Sequence, residues 1–250
     1  MCAKNAYFIA DGEVLPNSAE AQCCSLDLLY TLDACVVLAT ELGYADGFAL
    51  HQVSTIRMLY LASKSPRRAE ILQQLGISFQ VLPVDVDETP LPHEAALDYV
   101  QRIAKCKAQA GWRVLQQQQL SVLPLLSADT TVSLHGAILG KPVDQADAMQ
   151  MLRQLSGTMH EVHTALAMMT AQGLYTALSS TRVFMKPLSE AELRSYVSSG
   201  EPMDKAGAYG IQGLASLFVQ RIEGSYSGVM GLPIYETGEL CRQAGIDILA

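Results

Sequence analysis

The stretch Leu59-Tyr60-Leu61-Ala62-Ser63-Lys64-Ser65-Pro66-Arg67-Arg68 sets the fold class. Its first four residues are a short apolar run suited to a buried strand. Ser65 then stands at a helix N-cap position with Pro66 at the first helical position. Ile71, Leu72 and Leu75 recur at the spacing of one buried helical face, and Gly76 ends it. A strand passing directly into a helix is the unit of an αβ fold. The junction also collects hydroxyls and two guanidinium groups where free backbone N–H groups and the helix dipole favour an anion, and arginine suits bidentate phosphate contacts. The same residues equally fit an ordinary capped helix with two solvated arginines.

Downstream the alternation continues. A second strand over 79–86 leads into the acidic turn Asp85-Val86-Asp87-Glu88 and a helix over 94–118. Residues 123–132 are strand-like, His135-Gly136 reads as the turn of a hairpin returning through Ile138-Leu139, and Asp144 caps a helix that Gly157 ends. Strands are expected over 161–170 and 180–186. Ser189, with Glu192 three residues later, forms a capping box for a helix reaching Ser198. The glycine-rich run from Asp204 to Gly213 precedes a strand over 217–222, and a final helix follows Gly231-Leu232-Pro233. This intermixing throughout 58–250 predicts an α/β fold, a mixed twisted sheet flanked by helices.

The 250 residues carry 17 basic against 25 acidic side chains, a net charge of −8. With 50% hydrophobic residues the chain is not disordered, and its 18 Gly and 10 Pro show no collagen period. The acidic balance argues against a nucleic-acid or anionic-membrane binder, so an anionic substrate has to be met by local basic clusters. No apolar run approaches the ~20 residues of a membrane helix, and Asp11 and Glu13 break any signal-peptide pattern. Six cysteines lie without CxxC spacing or a histidine cluster, so neither a zinc site nor a disulfide framework is expected, and the expected compartment is the cytoplasm. Composition shifts near residue 58. Residues 1–57 hold two basic residues, Lys4 and Arg57, against seven acidic ones. They read as an N-terminal extension, either an appendage before a start at Met58 or a genuine accessory segment, with one amphipathic helix over 25–43.

Several charged groups fall where the fold makes them informative. Ala128-Asp129-Thr130-Thr131-Val132 sets a carboxylate inside an apolar strand, where an ionised group is costly unless paired, metal-bound or functional. The alternative is an Asp that caps a turn. Gly140-Lys141-Pro142 offers a lysine before a proline-marked loop. Lys105 and Lys107 are two apart on a helix and point to different faces, so only one faces a cleft. His160 and His163 fall on opposite faces of a strand, which speaks against a metal pair.

Taken in order, Ser63-Lys64-Ser65-Pro66-Arg67-Arg68, Val86-Asp87-Glu88, Ala128-Asp129-Thr130, Gly140-Lys141-Pro142, Leu155-Ser156-Gly157, the run 204–213 and Gly224-Ser225-Tyr226 resemble the Maf-like nucleotide pyrophosphatases. The resemblance covers essentially all of 58–250, and residues 1–57 have no counterpart in it. It implies two lobes around a nucleotide cleft (a Maf/ITPase-like fold), a homodimer, and hydrolysis of a nucleoside triphosphate between the α and β phosphates with a divalent metal, Mg²⁺ or Mn²⁺. Asp129 is then the acceptor of the attacking water's proton, a task that suits a carboxylate, while metal and cations stabilise phosphate charge. Ser63, Arg68, Lys107 and Lys141 become the candidate phosphate clamp. Glu88 and Asp129 become the candidate oxygen ligands of the metal; base, ligand or both stays open for Asp129.

Three positions separate family members preferring dTTP and UTP from those preferring 7-methyl-GTP, and here they read Arg67, Thr130 and Gln212. The 7-methyl-GTP type carries an aromatic residue, Gln and Glu instead. A methylated guanine is cationic and suits an aromatic and a carboxylate; a neutral amide suits the O4 and N3–H edge of uracil or thymine. The expected activity is therefore that of a dTTP/UTP pyrophosphatase. The alternatives are a pyrophosphatase for 7-methyl-GTP or other modified purine nucleotides, and a non-catalytic nucleotide-binding regulator of cell division.

Overall fold

The computed structural model describes residues 58–249 together with the short antiparallel pair β1 (Ile9–Ala10) and β2 (Glu13–Val14). The helix expected over 25–43 lies outside the described residues. The chain divides into two units, Met1–Val53 and Ser54–Ala250, and the second holds the features below.

Strand β3 (Met58–Leu61) places Leu59 and Leu61 in one apolar cluster and Tyr60, with the following Ala62, in another. Both of its faces are covered, as strands in parallel sheets require. The chain continues through α1 (Pro66–Gln74) to β4 (Ser78–Val81), parallel to β3. Helix α2 (Ala96–Gln117) then carries it across to β5 (Leu125–Leu134), parallel to β3 on the other edge. Strands β6 (Ala137–Leu139), β7 (Met159–Thr170), β8 (Gly173–Met185) and β9 (Val219–Glu223) are antiparallel additions. Together they make a seven-stranded mixed sheet in the order β4-β3-β5-β7-β8-β9, with β6 beside the far end of β5. Helices α3 (Gln145–Leu155), α4 (Glu190–Ser198), α5 (Tyr226–Met230) and α6 (Ile234–Gln243) complete the α/β architecture.

Local signals account for most boundaries. Asp144 accepts from the backbone of Asp147 at 2.8 Å, and Ser189 with Glu192 makes the capping box. Ser65 stands at the N-cap of α1, but its side chain makes no capping bond; its N–H instead donates to Ser63 Oγ at 3.2 Å. Strand β4 stops at Val81, well short of residue 86. Leu82 N still donates to Leu61 O at 2.9 Å, and Pro83 has no N–H to continue the ladder. Strand β8 starts at Gly173, because the two-residue turn Ala171-Gln172 pairs Thr170 with Gly173 and the register then runs unbroken to Met159 opposite Phe184. The strand expected from 217 begins at Val219, after a 3₁₀ turn over Leu214–Phe218.

Two packing details place the site. Strand β5 pairs β7 from Leu125 to Ser133, yet on its other edge it meets β3 only at Leu125–Leu126 and β6 only from Val132 to Leu134. The intervening edge around Asp129 opens beside the carboxyl end of β3, where open α/β sheets bind ligands. Alternation along β5 then turns Leu125, Ser127 and Asp129 toward α2 and Leu126, Ala128 and Thr130 toward α1. Helix α2 lies close on this strand: a Cβ at Gly111 would sit 2.7 Å from Leu125 Cδ1. Its buried stripe, Val100, Ile103, Ala104, Ala108 and Leu115, includes position 107 by spacing, so Lys107 and not Lys105 is carried inward.

Candidate active site

A cavity of about 430 Å³ opens at this edge. All nine residues singled out from the sequence line it: Ser63, Arg67, Arg68, Glu88, Lys107, Asp129, Thr130, Lys141 and Gln212. One wall comes from the β3–α1 junction and the acidic turn, the other from the glycine-rich run, with Val132, Val162, Tyr209 and Ile211 behind it. The apolar cluster around Val132, Leu152, Val183 and Phe218 lies on the second side, and the clusters under α1 and α2 on the first. These are the two sides expected of a two-lobed fold.

At the centre is Lys107. Its ammonium lies 2.7 Å from Asp129 Oδ1 and 2.7 Å from Glu88 Oε1. Asp129 is 6% exposed. Burial raises its carboxyl pKa above the ordinary value, and Lys107, with Arg68 further off, pulls it back down. Glu88 is presented by the loop after β4, where Tyr99 donates its hydroxyl to Glu88 O at 2.9 Å. Arg102 ties the same loop through Glu94 at 2.6 Å and Thr89 O at 3.1 Å.

Arg68 is buried and already committed. Its Nε donates to Gly231 O at 2.8 Å, Nη1 to Ser63 Oγ at 2.9 Å and Nη2 to Thr130 Oγ1 at 3.2 Å, leaving two of its five N–H groups for a ligand. Burial lowers its pKa, opposed by Asp129. Gly231 adopts φ +110°, and a Cβ there would meet Thr130 Oγ1 at 3.3 Å, so the loop that receives Arg68 requires glycine. Ser63 Oγ accepts from both Arg68 and Ser65 N, which leaves its own proton to donate outward. Thr164 donates to Gly228 O at 2.8 Å, so in the 2.9 Å contact between Thr130 and Thr164 the proton comes from Thr130. Thr130 therefore faces Arg68 and the core, and its hydroxyl proton is spent.

The other expected residues sit nearer the mouth. Arg67 reaches Asp204 Oδ2 at 3.4 Å, and Asp204 in turn takes Lys205 at 2.6 Å. Lys141 and Gln212 are exposed and make no side-chain bond among the described residues. Asp204 and Lys205 also line the cavity; their signal was the acid-base pair that opens the glycine-rich run. His160 and His163 do not approach each other as a pair. His160 Nε2 meets Tyr209 Oη at 2.7 Å and His163 Nδ1 meets Ser180 Oγ at 2.9 Å.

The cluster can hold a phosphate chain and orient water. Among the described residues no three His, Cys, Asp or Glu side chains gather as a metal cage. Two converging carboxylates with room for water and substrate oxygens nonetheless fit Mg²⁺, which is bound through one or two carboxylates and phosphates and seldom through an all-protein cage.

A family model described as "Maf-like protein" matches residues 58–244. Among curated relatives, the dTTP/UTP pyrophosphatase of Bordetella pertussis (strain Tohama I) is 58% identical over 194 residues, covering 76% of this chain and 94% of that protein. That of Chromobacterium violaceum is 52% identical over 190 residues, covering 76% and 96%, and that of Nitrosomonas europaea 49% over 198 residues, covering 76% and 96%. Among solved structures the Staphylococcus aureus Ham1 protein aligns at TM-score 0.40 and 12% identity, over 73% of this chain and 99% of that one.

Proposed function

The chain belongs to the Maf-like family, and from that premise we propose that it hydrolyses dTTP and UTP to the nucleoside monophosphate and pyrophosphate. The observation that carries the reading is the buried Asp129 held by Lys107 at the open edge of β5, beside unspent donors on Ser63, Arg68 and Lys141.

In this reading Asp129 orients a water and takes its proton as the water oxygen bonds to the α phosphorus. The bond from the α phosphorus to the bridging oxygen breaks, and pyrophosphate leaves with the electron pair. Lys107 keeps the Asp129 carboxylate aimed, and the Ser63 hydroxyl, the two remaining Arg68 N–H groups and the Lys141 ammonium hold the phosphate tail. Glu88 and Asp129 would hold a divalent cation, Mg²⁺ or Mn²⁺, whose chemistry is to neutralise charge on the phosphate oxygens. Arg67, Thr130 and Gln212 are assigned to base selection, Gln212 by offering donor and acceptor to a pyrimidine edge; Thr130 itself accepts from Arg68 of the phosphate end. The family resemblance favours a homodimer, which sedimentation tests, and the sequence pattern favours the cytoplasm, which fractionation tests. No helix among the described residues is long and apolar enough to cross a membrane.

Product analysis tests the reaction. Incubation of dTTP in H₂¹⁸O should give dTMP and pyrophosphate in equal amounts with the label in dTMP. Release of orthophosphate, or label in pyrophosphate, would refute attack at the α phosphorus.

A further inference from the structure

Gln212 is carried by a loop whose two ends are tied to one residue, directly on one side and through a tyrosine on the other. Glu201, in a 3₁₀ turn (Glu201–Asp204) just after α4, accepts from Leu214 N on Oε2 at 2.9 Å, on the carboxyl side of Gln212. Its Oε1 accepts from Tyr196 Oη at 3.0 Å, and that same hydroxyl oxygen accepts from Gly210 N at 3.3 Å, on the amino side. The Glu201 backbone carbonyl takes the Lys205 ammonium at 2.7 Å. Gly213 permits this approach, because a Cβ there would overlap the Glu201 carboxylate, whereas a Cβ at Gly210 would press on the flexible tail of Lys205 and lie 3.6 Å from Glu201 Oε1. At Gly213 and Leu214 the loop is therefore seated on the carboxylate itself.

The chemistry of base reading explains why such a seat matters. An amide free to turn presents donor and acceptor in either order and would take cytosine as readily as uracil. Seating the backbone that carries the amide narrows the orientations it can offer to a base and so favours one order of donor and acceptor. We propose that Glu201 is the positioning residue for base discrimination: its carboxylate, relayed through Tyr196, clamps both ends of the loop at 210–214 and so fixes Gln212 for uracil and thymine. This rests on the pyrimidine reading given above and adds a residue to it.

The test uses the whole chain with E201A, E201Q and Y196F. Three readouts are needed: the ratio of kcat/KM for dTTP over CTP, inhibition by pyrophosphate, which has no base, and amide hydrogen exchange across 210–215. For E201A the dTTP/CTP ratio should fall about tenfold, the worth of one well-placed hydrogen bond to the base, and through KM more than kcat. Exchange at 210–215 should rise, and pyrophosphate inhibition should stay within about twofold, because the groups assigned to phosphate lie elsewhere. E201Q should fall between, since its amide oxygen still accepts from Leu214 N while its NH₂ cannot accept from Tyr196. If E201A does not fold, E201Q and Y196F carry the same expectation at smaller size. A folded E201A with unchanged ratio and unchanged exchange overturns the proposal, as does a parallel loss of pyrophosphate inhibition, which would mark a general structural role. A wild-type ratio near one, with exchange in E201A still raised, instead removes the reading of Gln212 as a selector of uracil and thymine over cytosine, and with it the discriminating role of Glu201.

Discussion

The two ends of the cleft are built differently. At the phosphate end Arg68, Lys107 and Asp129 stand on regular structure and are held by partners: Arg68 by three bonds of 2.8 to 3.2 Å, Lys107 by two carboxylates at 2.7 Å, and Asp129, within β5, by Lys107. At the base end Arg67 meets Asp204 only at 3.4 Å, Gln212 is exposed, and the chain runs through 3₁₀ turns and glycines. The difference teaches where precision is needed. Charge stabilisation in a transition state depends on donors fixed beforehand, whereas at the base end Glu201 seats the loop backbone and the Gln212 side chain itself stays exposed to meet the nucleotide. It also bears on stability. An exposed pair such as Arg153–Glu190 contributes about 0–1 kcal/mol, but removing Lys107 leaves the buried Asp129 carboxylate without its ion-pair partner at a cost of roughly 3–5 kcal/mol.

If this contrast is right, substitutions at the phosphate end act on turnover and those at the base end on choice. The largest effect belongs to Asp129→Asn. It should reduce hydrolysis about a thousandfold while dTTP still binds by calorimetry; hydrolysis near the wild-type rate would remove Asp129 from its role. Lys107→Met should lower turnover about a hundredfold and the denaturation midpoint together. It should also shift the pH profile. Burial already raises the Asp129 pKa, so the acid limb lies above that of an ordinary carboxylate; removing Lys107 takes away an influence that lowers it, and the limb moves to higher pH. A limb that stays put would mean that Lys107 does not act on Asp129.

Gln212→Glu is smaller and of a different kind. Turnover of dTTP and UTP should fall about tenfold with pyrophosphate inhibition retained, and an unchanged nucleotide preference would break the assignment of this end to the base. The smallest effect on activity is expected at the deep anchor of the base end, His160 under Tyr209. Burial holds the His160 pKa at about 4, so the native state excludes a proton that the unfolded chain takes up below about 6.5. Stability from this group is present above pH 6.5 and lost as pH falls toward 4, roughly 3 kcal/mol across the window. His160→Gln should flatten the difference between urea midpoints at pH 7 and pH 4.5 with little change in turnover at neutral pH. An equally steep loss in the variant would assign the acid sensitivity elsewhere.

The same contrast decides what could be read from the sequence. Strand β3, helix α1 and the carboxylate in β5 follow from apolar periodicity and local punctuation; helical spacing puts Lys105 and Lys107 on different faces, and the family resemblance singles out Lys107. These signals act over a few residues. What escaped them is non-local. The acceptor of Arg68 Nε, Gly231, is 163 positions along the chain, and Thr130 is 62 positions from the guanidinium it receives. Nothing in Ala128-Asp129-Thr130 shows that the threonine proton is spent on Thr164. Glu201 was equally hidden, since only the folded loop brings Leu214 N to it. The first half of β8 lacks a clean apolar alternation and is defined by its long pairing with β7.

The most direct test of the whole account is pyrophosphate release by the full chain from dTTP, UTP, CTP, GTP and 7-methyl-GTP, each with Mg²⁺ or Mn²⁺. The account predicts release chiefly from dTTP and UTP. Preference for 7-methyl-GTP, or no release from any of the five by folded protein, would contradict it.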